Sequence, residues 1–287
     1  MPFVRSQGRD IYYERHGAGP ALLFLHGAGS NAATWWQQLP AFSARHTCLT
    51  MDIRCFGRSA APTNEFALGH FVADALALLD HEELDQVVVI GQSLGGMIGL
   101  KFALRHPQRV CGFVACDSSL AVDHPALLAS VERRLRTVQA LAIEQRSLGR
   151  RFLAEQPALA ALYAQINHFN ASAHRIAPEA WQQALGRLNE PQSLTRVAEL
   201  AALACPTLFV VGAEDPIVPV SAMQDLAAVV PGSEVVVIEH AAHSAYFERP
   251  AEFNRHVLRF LTDRKIYPPQ AAVRRMVWPS SLSPVPD

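Results

Sequence analysis

Short, almost uninterrupted apolar runs punctuate the chain: ALLFLH (21–26), CLTMDI (48–53), VVVI (87–90), VCGFVACD (110–117), TLFVVG (207–212) and EVVVIEH (234–240), preceded by the more mixed IYYER (11–15). Runs of this length, rich in β-branched residues and lacking polar alternation, mark strands covered on both faces. Helix-length segments lie between them: TWWQQLPAFSAR (34–45), FALGHFVADALALLDHEE (66–83), SLGGMIGLKFALRH (93–106), SAMQDLAAVV (221–230) and EFNRHVLRFLTDR (252–264). This alternation predicts an α/β fold with a mostly parallel sheet, joined by right-handed crossovers.

One interval breaks the pattern. Residues 119–199 hold no strand-like run and are rich in Ala, Leu, Gln and Arg, as in VERRLRTVQALAIEQ, RFLAEQPALAALYAQ and PEAWQQALGRL. Three or four helices are predicted there, inserted as a cap between two strands, with 1–118 and 200–264 forming the core. An insertion at the strand ends sits where open α/β sheets bind ligands, so a lid is expected. The plainer alternative is a helical excursion that merely covers apolar surface. The segment KIYPPQAAVRRMVWPSSLSPVPD (265–287) carries five prolines and little periodicity, and reads as an extended or disordered tail. Its Tyr267 and Trp278 are candidates for docking on the body or on a partner subunit, which leaves a homo-oligomer open.

Composition narrows the class. Half of the 287 residues are hydrophobic and 18% are charged, a globular balance. With a formal net charge of −1 there is no global field to favour nucleic acid or a membrane surface. The five cysteines form no CxxC pair and no zinc spacing, so reduced thiols and a cytoplasmic setting are expected. MPFVRSQGRD has no apolar core of a signal peptide, and no run reaches the roughly 18 apolar residues of a membrane span.

The chemistry centres on GQSLGG (91–96), between VVVI and an amphipathic helix. In this G-x-S-x-G turn, Ser93 is at the apex in strained geometry, and side chains at 91 and 95 would clash with the neighbouring strand and helix. The hydroxyl is lifted above the sheet, and the Leu94 amide starts a helix, where free N–H groups attract negative charge. A serine nucleophile needs a base with a pKa near neutrality, which points to histidine. Of twelve histidines, His243 in EHAAHSAYFERP follows the last strand and precedes the last helix, on the same rim as Ser93. His240 competes from three residues earlier. The orienting carboxylate is Asp215 in VVGAEDPIVP, with Asp117 at the end of VCGFVACD as a rival and Glu214 expected to point away. The Gly-rich turn in HGAG (26–29) offers the Ala28 N–H as an oxyanion donor alongside Leu94 N–H, with His26 pinning that turn.

Five separated motifs, HGAG (26–29), MDIRCFGRS (51–59), GQSLGG (91–96), GAEDPIVP (212–219) and AAHSAYFERP (241–250), resemble in order those of the α/β-hydrolase fold superfamily. The resemblance implies an eight-stranded sheet with its second strand antiparallel and a helical cap after the sixth. It implies Ser93 as nucleophile, Asp215 as acid, His243 as base and the Ala28 and Leu94 amides as oxyanion donors. One departure is Cys55, which stands at the first glycine of the D-x-R-G-x-G-x-S pattern; Asp52, Arg54 and Ser59 read as a network supporting that loop. Serine at the turn, not aspartate, argues against haloalkane dehalogenase and epoxide hydrolase chemistry.

These readings favour hydrolysis of a small ester or lactone, with no metal or organic cofactor implied. C–C bond hydrolysis, or cofactor-free lyase or oxygenase chemistry on the same triad, is the second hypothesis, and a ligand-binding protein with a vestigial site the third. Trp35, Trp36 and His168 are candidate pocket residues, with Asn167 and Asn170 nearby in the sequence. Arg133, Arg134, Arg136, Arg146, Arg150 and Arg151 offer an anion-binding group, but the expectation is that they face solvent and cover apolar surface with their stems.

Overall fold

The computed structural model describes residues 3–137, 141–168 and 177–267. Strands β1 (Phe3–Ser6), β2 (Arg9–His16), β3 (Ala21–Leu25), β4 (Thr47–Met51), β5 (Val87–Gln92), β6 (Val110–Cys116), β7 (Thr207–Gly212) and β8 (Glu234–Ile238) form one sheet in the order β1-β2-β4-β3-β5-β6-β7-β8. β2 runs against both of its neighbours, and every pairing from β4 to β8 is parallel. β1 escapes the apolar pattern because FVRS alternates exposed and buried positions over only four residues; it is held by a hairpin to β2 that turns through Gly8 at φ +81°.

The helices are α1 (Leu39–Phe42), α2 (Leu68–His81), α3 (Leu94–Arg105), α4 (Pro125–Thr137), α5 (Ile143–Ser147), α6 (Arg150–Glu155), α7 (Pro157–His168), α8 (Pro178–Arg187), α9 (Val220–Val229), α10 (Ala245–Glu248) and α11 (Pro250–Asp263). Residues 34–45 do not make one helix. Pro40 has no N–H to continue a helix from upstream, so the chain makes a 3-10 turn over Ala32–Trp35 and starts α1 with the proline in its first turn. Between β6 and β7 the described residues form five α-helices, α4–α8, and a 3-10 turn over Val197–Ala202, where three or four helices were expected. No helix among the described residues is long and apolar enough to cross a membrane.

Apolar strand residues serve both faces of the sheet. Leu23, Leu25, Val89 and Phe113 join the layer that contains α2, α3 and α9, while Leu22, Phe24, Val88 and Ile90 join Trp35, Phe42 and α11 on the other side. That two-sided burial is why these strands read as continuous apolar runs. Tyr267 docks on the body: its hydroxyl accepts from Val88 N and donates to the Ala21 carbonyl. Trp278 and the rest of 268–287 lie outside the described residues.

Two loops at the strand ends are built on buried polar groups. His26 is fully buried; its Nδ1–H donates to the Gly27 carbonyl and its Nε2 accepts from Ile53 N at 2.9 Å, which ties the end of β3 to that of β4. Burial pushes its pKa down to about 4, so the ring is a neutral strut. Asp52 accepts from Ala32 N at 2.7 Å and Arg58 N at 2.8 Å, and Ser59 Oγ donates to the Asp52 carbonyl. The fully buried Arg54 is gripped from two sides by Asp74 (2.9 and 2.6 Å) and reaches Glu65. Removing one partner from such a pair typically costs about 3–5 kcal/mol, so this network is a strong anchor for the loop after β4. Cys55, at the first glycine position of the D-x-R-G-x-G-x-S pattern, has a left-handed backbone at φ +74°.

Candidate active site

The chain order places β3 and β5 side by side while their neighbours lie to opposite sides, so the crevice at their carboxyl ends is the switch point of the sheet. Ser93 stands there, between β5 and α3, at φ +49° and ψ −110°. Left-handed backbone of this kind costs an L-residue roughly 1–2 kcal/mol. The turn closes only with glycine on each side: a Cβ on Gly91 would strike the Gly95 carbonyl, and one on Gly95 would strike the Leu25 carbonyl of β3. Ser93 N donates to the Cys116 carbonyl at 2.9 Å and Ser118 Oγ donates to the Ser93 carbonyl at 2.6 Å, which fastens the turn to β6.

His243 lies in the loop between β8 and α10. Its Nε2 is 3.0 Å from Ser93 Oγ and its Nδ1 is 2.9 Å from Asp215 Oδ2. With the proton on Nδ1, that nitrogen donates to the carboxylate and Nε2 is left to accept the serine proton. The Asp215 side chain is fully buried, and its other oxygen accepts from Ile217 N at 2.7 Å and Val218 N at 3.1 Å, so the loop after β7 aims it. The carbonyl of His243 accepts from Gln92 Nε2 at 2.8 Å, which holds the histidine loop against β5.

The rival groups lie elsewhere. His240 is more than half exposed and its ring is 3.6 Å from Glu214, which points outward to meet it. Among the described residues Asp117 makes no hydrogen bond to His243. Its Oδ1 accepts from Gly212 N at 2.8 Å and its Oδ2 from Ala245 N at 2.9 Å and the Cys116 thiol, so it buckles β6, β7 and the start of α10 together. Burial, then the neighbouring Asp215 charge, push the Asp117 carboxyl well above the usual carboxylate range. A second buried carboxyl, Glu248, accepts from Gly149 N and Ala242 N at 2.9 Å each, joining the start of α6 to the residue before His243; burial pushes its pKa up to about 7.

Ala28 and Leu94 line the same cavity as Ser93 and His243, and among the described residues neither amide donates to another group. This cavity measures about 200 Å³. Its wall includes Met97, Val131, Ile143, Trp181, Leu185, Leu188 and Ile217, the polar Ser119 and Asn189, and Arg134 and Arg146. A second cavity of about 40 Å³, also bordered by Ser93 and His243, has the polar lining Ser30, Ser147, Tyr163 and Asn167, and again Arg134.

Trp35 and Trp36 do not line either cavity. Trp35 is fully buried on the far face of the core, its ring 4.5 Å from Tyr246 and 5.3 Å from Phe24, because the 3-10 turn directs it under the rim. Trp36, next in the turn, is 41% exposed. The tryptophan at the cavity is Trp181, whose ring packs edge-on to Phe56 and Phe66 at 5.0 Å. Its signal was present in PEAWQQALGRL: 181, 185 and 188 repeat at helical spacing and form the inward stripe of α8. His168 ends α7, and its side chain lies outside the described residues, as does Asn170. Arg133, Arg150 and Arg151 are exposed as expected, whereas Arg134 and Arg146 turn inward; the side chain of Arg136 lies outside the described residues.

The pattern described as the alpha/beta hydrolase fold matches residues 20–250. The chain is 32% identical to a pimeloyl-[acyl-carrier protein] methyl ester esterase of Aeromonas hydrophila subsp. hydrophila over 268 residues, covering 88% of this chain and 99% of that one. It is 25% identical to a 3-oxoadipate enol-lactonase 2 of Acinetobacter baylyi over 242 residues, 83% of this chain and 87% of the relative. Among solved structures, Est816, described as an N-acyl homoserine lactone degrading enzyme, superposes with a TM-score of 0.77 at 28% identity, over 90% of this chain and 99% of the other.

Proposed function

Since the chain belongs to the alpha/beta hydrolase fold family, we propose that it is a serine hydrolase that cleaves a small carboxylic ester or lactone through an acyl-enzyme on Ser93. The observation that carries this reading is the hydrogen-bonded row Ser93–His243–Asp215, opening on a cavity that also holds two undirected amides. The relatives that act on esters and lactones support the same substrate class.

The steps follow from the geometry. Ser93 Oγ attacks the substrate carbonyl carbon as its proton passes to His243 Nε2, and the carbonyl π pair moves onto oxygen. Asp215 holds the imidazole in the required tautomer and stabilises the imidazolium that forms. The Ala28 and Leu94 N–H groups bind the oxyanion; each such donor is typically worth about 10²–10³ in rate. Collapse breaks the bond to the alcohol oxygen, which takes the proton from His243. Water then loses a proton to His243, attacks the acyl carbon, and releases the acid as Ser93 Oγ recovers its proton. In a lactone the alcohol stays tethered and departs with the acid. The helices α4–α8 act as a cap that shapes the acyl pocket. A cavity of about 200 Å³ lies below the roughly 300–1,000 Å³ of drug-sized ligand sites, which favours a short substrate.

Labelling with a fluorophosphonate and intact-mass analysis tests the reading. One adduct per chain is expected, at Ser93, absent in Ser93→Ala and slowed by at least about 10³-fold in His243→Ala. Labelling of His243→Ala at the wild-type rate, or an adduct on another residue, would overturn it.

A further inference from the structure

The cavity above Ser93 carries two permanent cations in its wall and, among its lining residues, no carboxylate. They come from different helices. On α4, Val131 and Arg134 are three residues apart; on α5, Ile143 and Arg146 are spaced the same way, so each helix turns one apolar side chain and one guanidinium to the cavity. α4 is seated by the buried Leu127 and by Ser130 Oγ, which donates to the Pro216 carbonyl at 3.3 Å in the loop that carries Asp215. Arg134 borders both cavities and Arg146 only the larger.

Both guanidiniums belong to half-buried residues. Burial first, and the charge of Arg146 second, push the Arg134 pKa down to about 10, and burial likewise lowers that of Arg146. Arg146 Nε is buried and meets no acceptor among the described residues. Surface arginines avoid such costs by keeping the charged head in water, as Arg133, Arg150 and Arg151 do here. Two like charges in a wall that also carries Leu185, Leu188, Ile217, Ser119 and Asn189, but no carboxylate, are stabilised when an anion enters the cavity.

We propose that Arg134 and Arg146 form a carboxylate subsite, so that the preferred substrate is an ester or lactone whose short acyl part ends in a free carboxylate. The guanidinium fork matches a carboxylate in two hydrogen bonds, and the pair stays charged at any working pH. The small volume and the mostly apolar remainder of the wall suit a single carboxylate on a chain of a few methylenes. The placement in the acyl part rests on the hydrolase reading; the anion subsite itself does not.

The test compares kcat/KM for mono-p-nitrophenyl glutarate with that for p-nitrophenyl pentanoate, a neutral ester of the same length. Wild type is expected to prefer the glutarate half-ester by about 10-fold or more, and Arg146→Gln and Arg134→Gln each to lower that ratio by about 10- to 100-fold, since hydrogen bonds to charged groups are the strong ones. Arg146→Lys keeps the charge but not the fork and should fall between. A wild-type ratio near one, or a ratio that both Gln variants leave unchanged, overturns the subsite. A variant-free measurement guards against misfolding: glutarate should compete with pentanoate hydrolysis and glutaramide should not, and equal competition overturns the proposal. If neither ester is turned over, the hydrolase reading fails, and calorimetric titration of wild type with glutarate against glutaramide decides the subsite alone: selective binding of glutarate upholds it, and equal or absent binding overturns it.

Discussion

Ser93, Asp215 and His243 stand at the ends of three strands, whereas Val131, Arg134, Arg146 and Trp181 reach the same cavity from helices inserted between β6 and β7. The two groups are held by different means. On the rim each functional residue is held through its own or its neighbours' backbone: the crowded glycine turn under Ser93, the Ile217 and Val218 amides on Asp215, and the His243 carbonyl that accepts from the Gln92 side chain. On the helices position follows from which face packs inward. On the proposed function, changes on the rim should act on turnover, while changes in the helical wall should act on affinity and selectivity. That division fits a site in which bond making is kept constant and the substrate is chosen elsewhere.

The largest expected effect tests the rim. Asp215→Asn should lower kcat by about 10⁴, because the amide no longer enforces the tautomer that leaves Nε2 free. Asp117→Asn, on the neighbouring strand end, should lower kcat by less than about 10-fold and act on stability instead, since Asp117 binds amides and not the imidazole. Steady-state kinetics on the two variants decides. A large loss in Asp117→Asn with a small one in Asp215→Asn would move the acid to β6 and break the comparison.

The same division explains what could be read from the chain alone. GQSLGG was legible because steric crowding at Gly91 and Gly95 admits no side chain, and the continuous apolar runs were legible because the strands are buried on both faces. HGAG and GAEDPIVP could be placed by the same logic of turns at strand ends. β1 was not, as four residues of alternation do not stand out from a loop. Trp35 and Trp36 misled because a 3-10 turn, not a helix, sets their direction. Arg134 and Arg146 were hidden among six arginines: spacing gives the face of a helix, but not which face meets the cavity until neighbouring helices are in place. Trp181 lies within an amphipathic segment whose apolar stripe has two equivalent uses, core packing and pocket lining, and here it serves both.

An intermediate effect is expected at the seam. Glu248 accepts amides from both regions, Gly149 before α6 and Ala242 before the histidine. Glu248→Ala leaves two buried N–H groups without an acceptor, at about 1–3 kcal/mol each, and should destabilise the fold by roughly 2–6 kcal/mol in urea unfolding. The pH dependence has a definite sign. The folded pKa of about 7 lies above the roughly 4.5 of the unfolded chain, so this group's proton-linked stability is fully present below about 4.5 and is lost as pH rises through 7. Wild type should therefore lose more stability between pH 5 and pH 7.5 than Glu248→Ala does. Identical slopes for the two would mean that the Glu248 carboxyl titrates alike in the folded and unfolded chain.

The smallest effect sharpens the comparison from the helical side. Trp181 on α8 spans the cavity wall and the Phe56–Phe66 pair of the loop after β4, so truncation removes apolar wall without touching the rim. Trp181→Ala should raise KM for a short-chain p-nitrophenyl ester by about 5- to 10-fold, the size of a partial loss of apolar contact area. Turnover should stay within about 3-fold of wild type, because the Ser93–His243–Asp215 row is set by strand ends that α8 does not hold. A roughly 100-fold slower turnover with KM unchanged would show the reverse dependence. The helical wall would then be orienting the reacting groups, and rim and wall would be one catalytic unit whose residues cannot be exchanged separately.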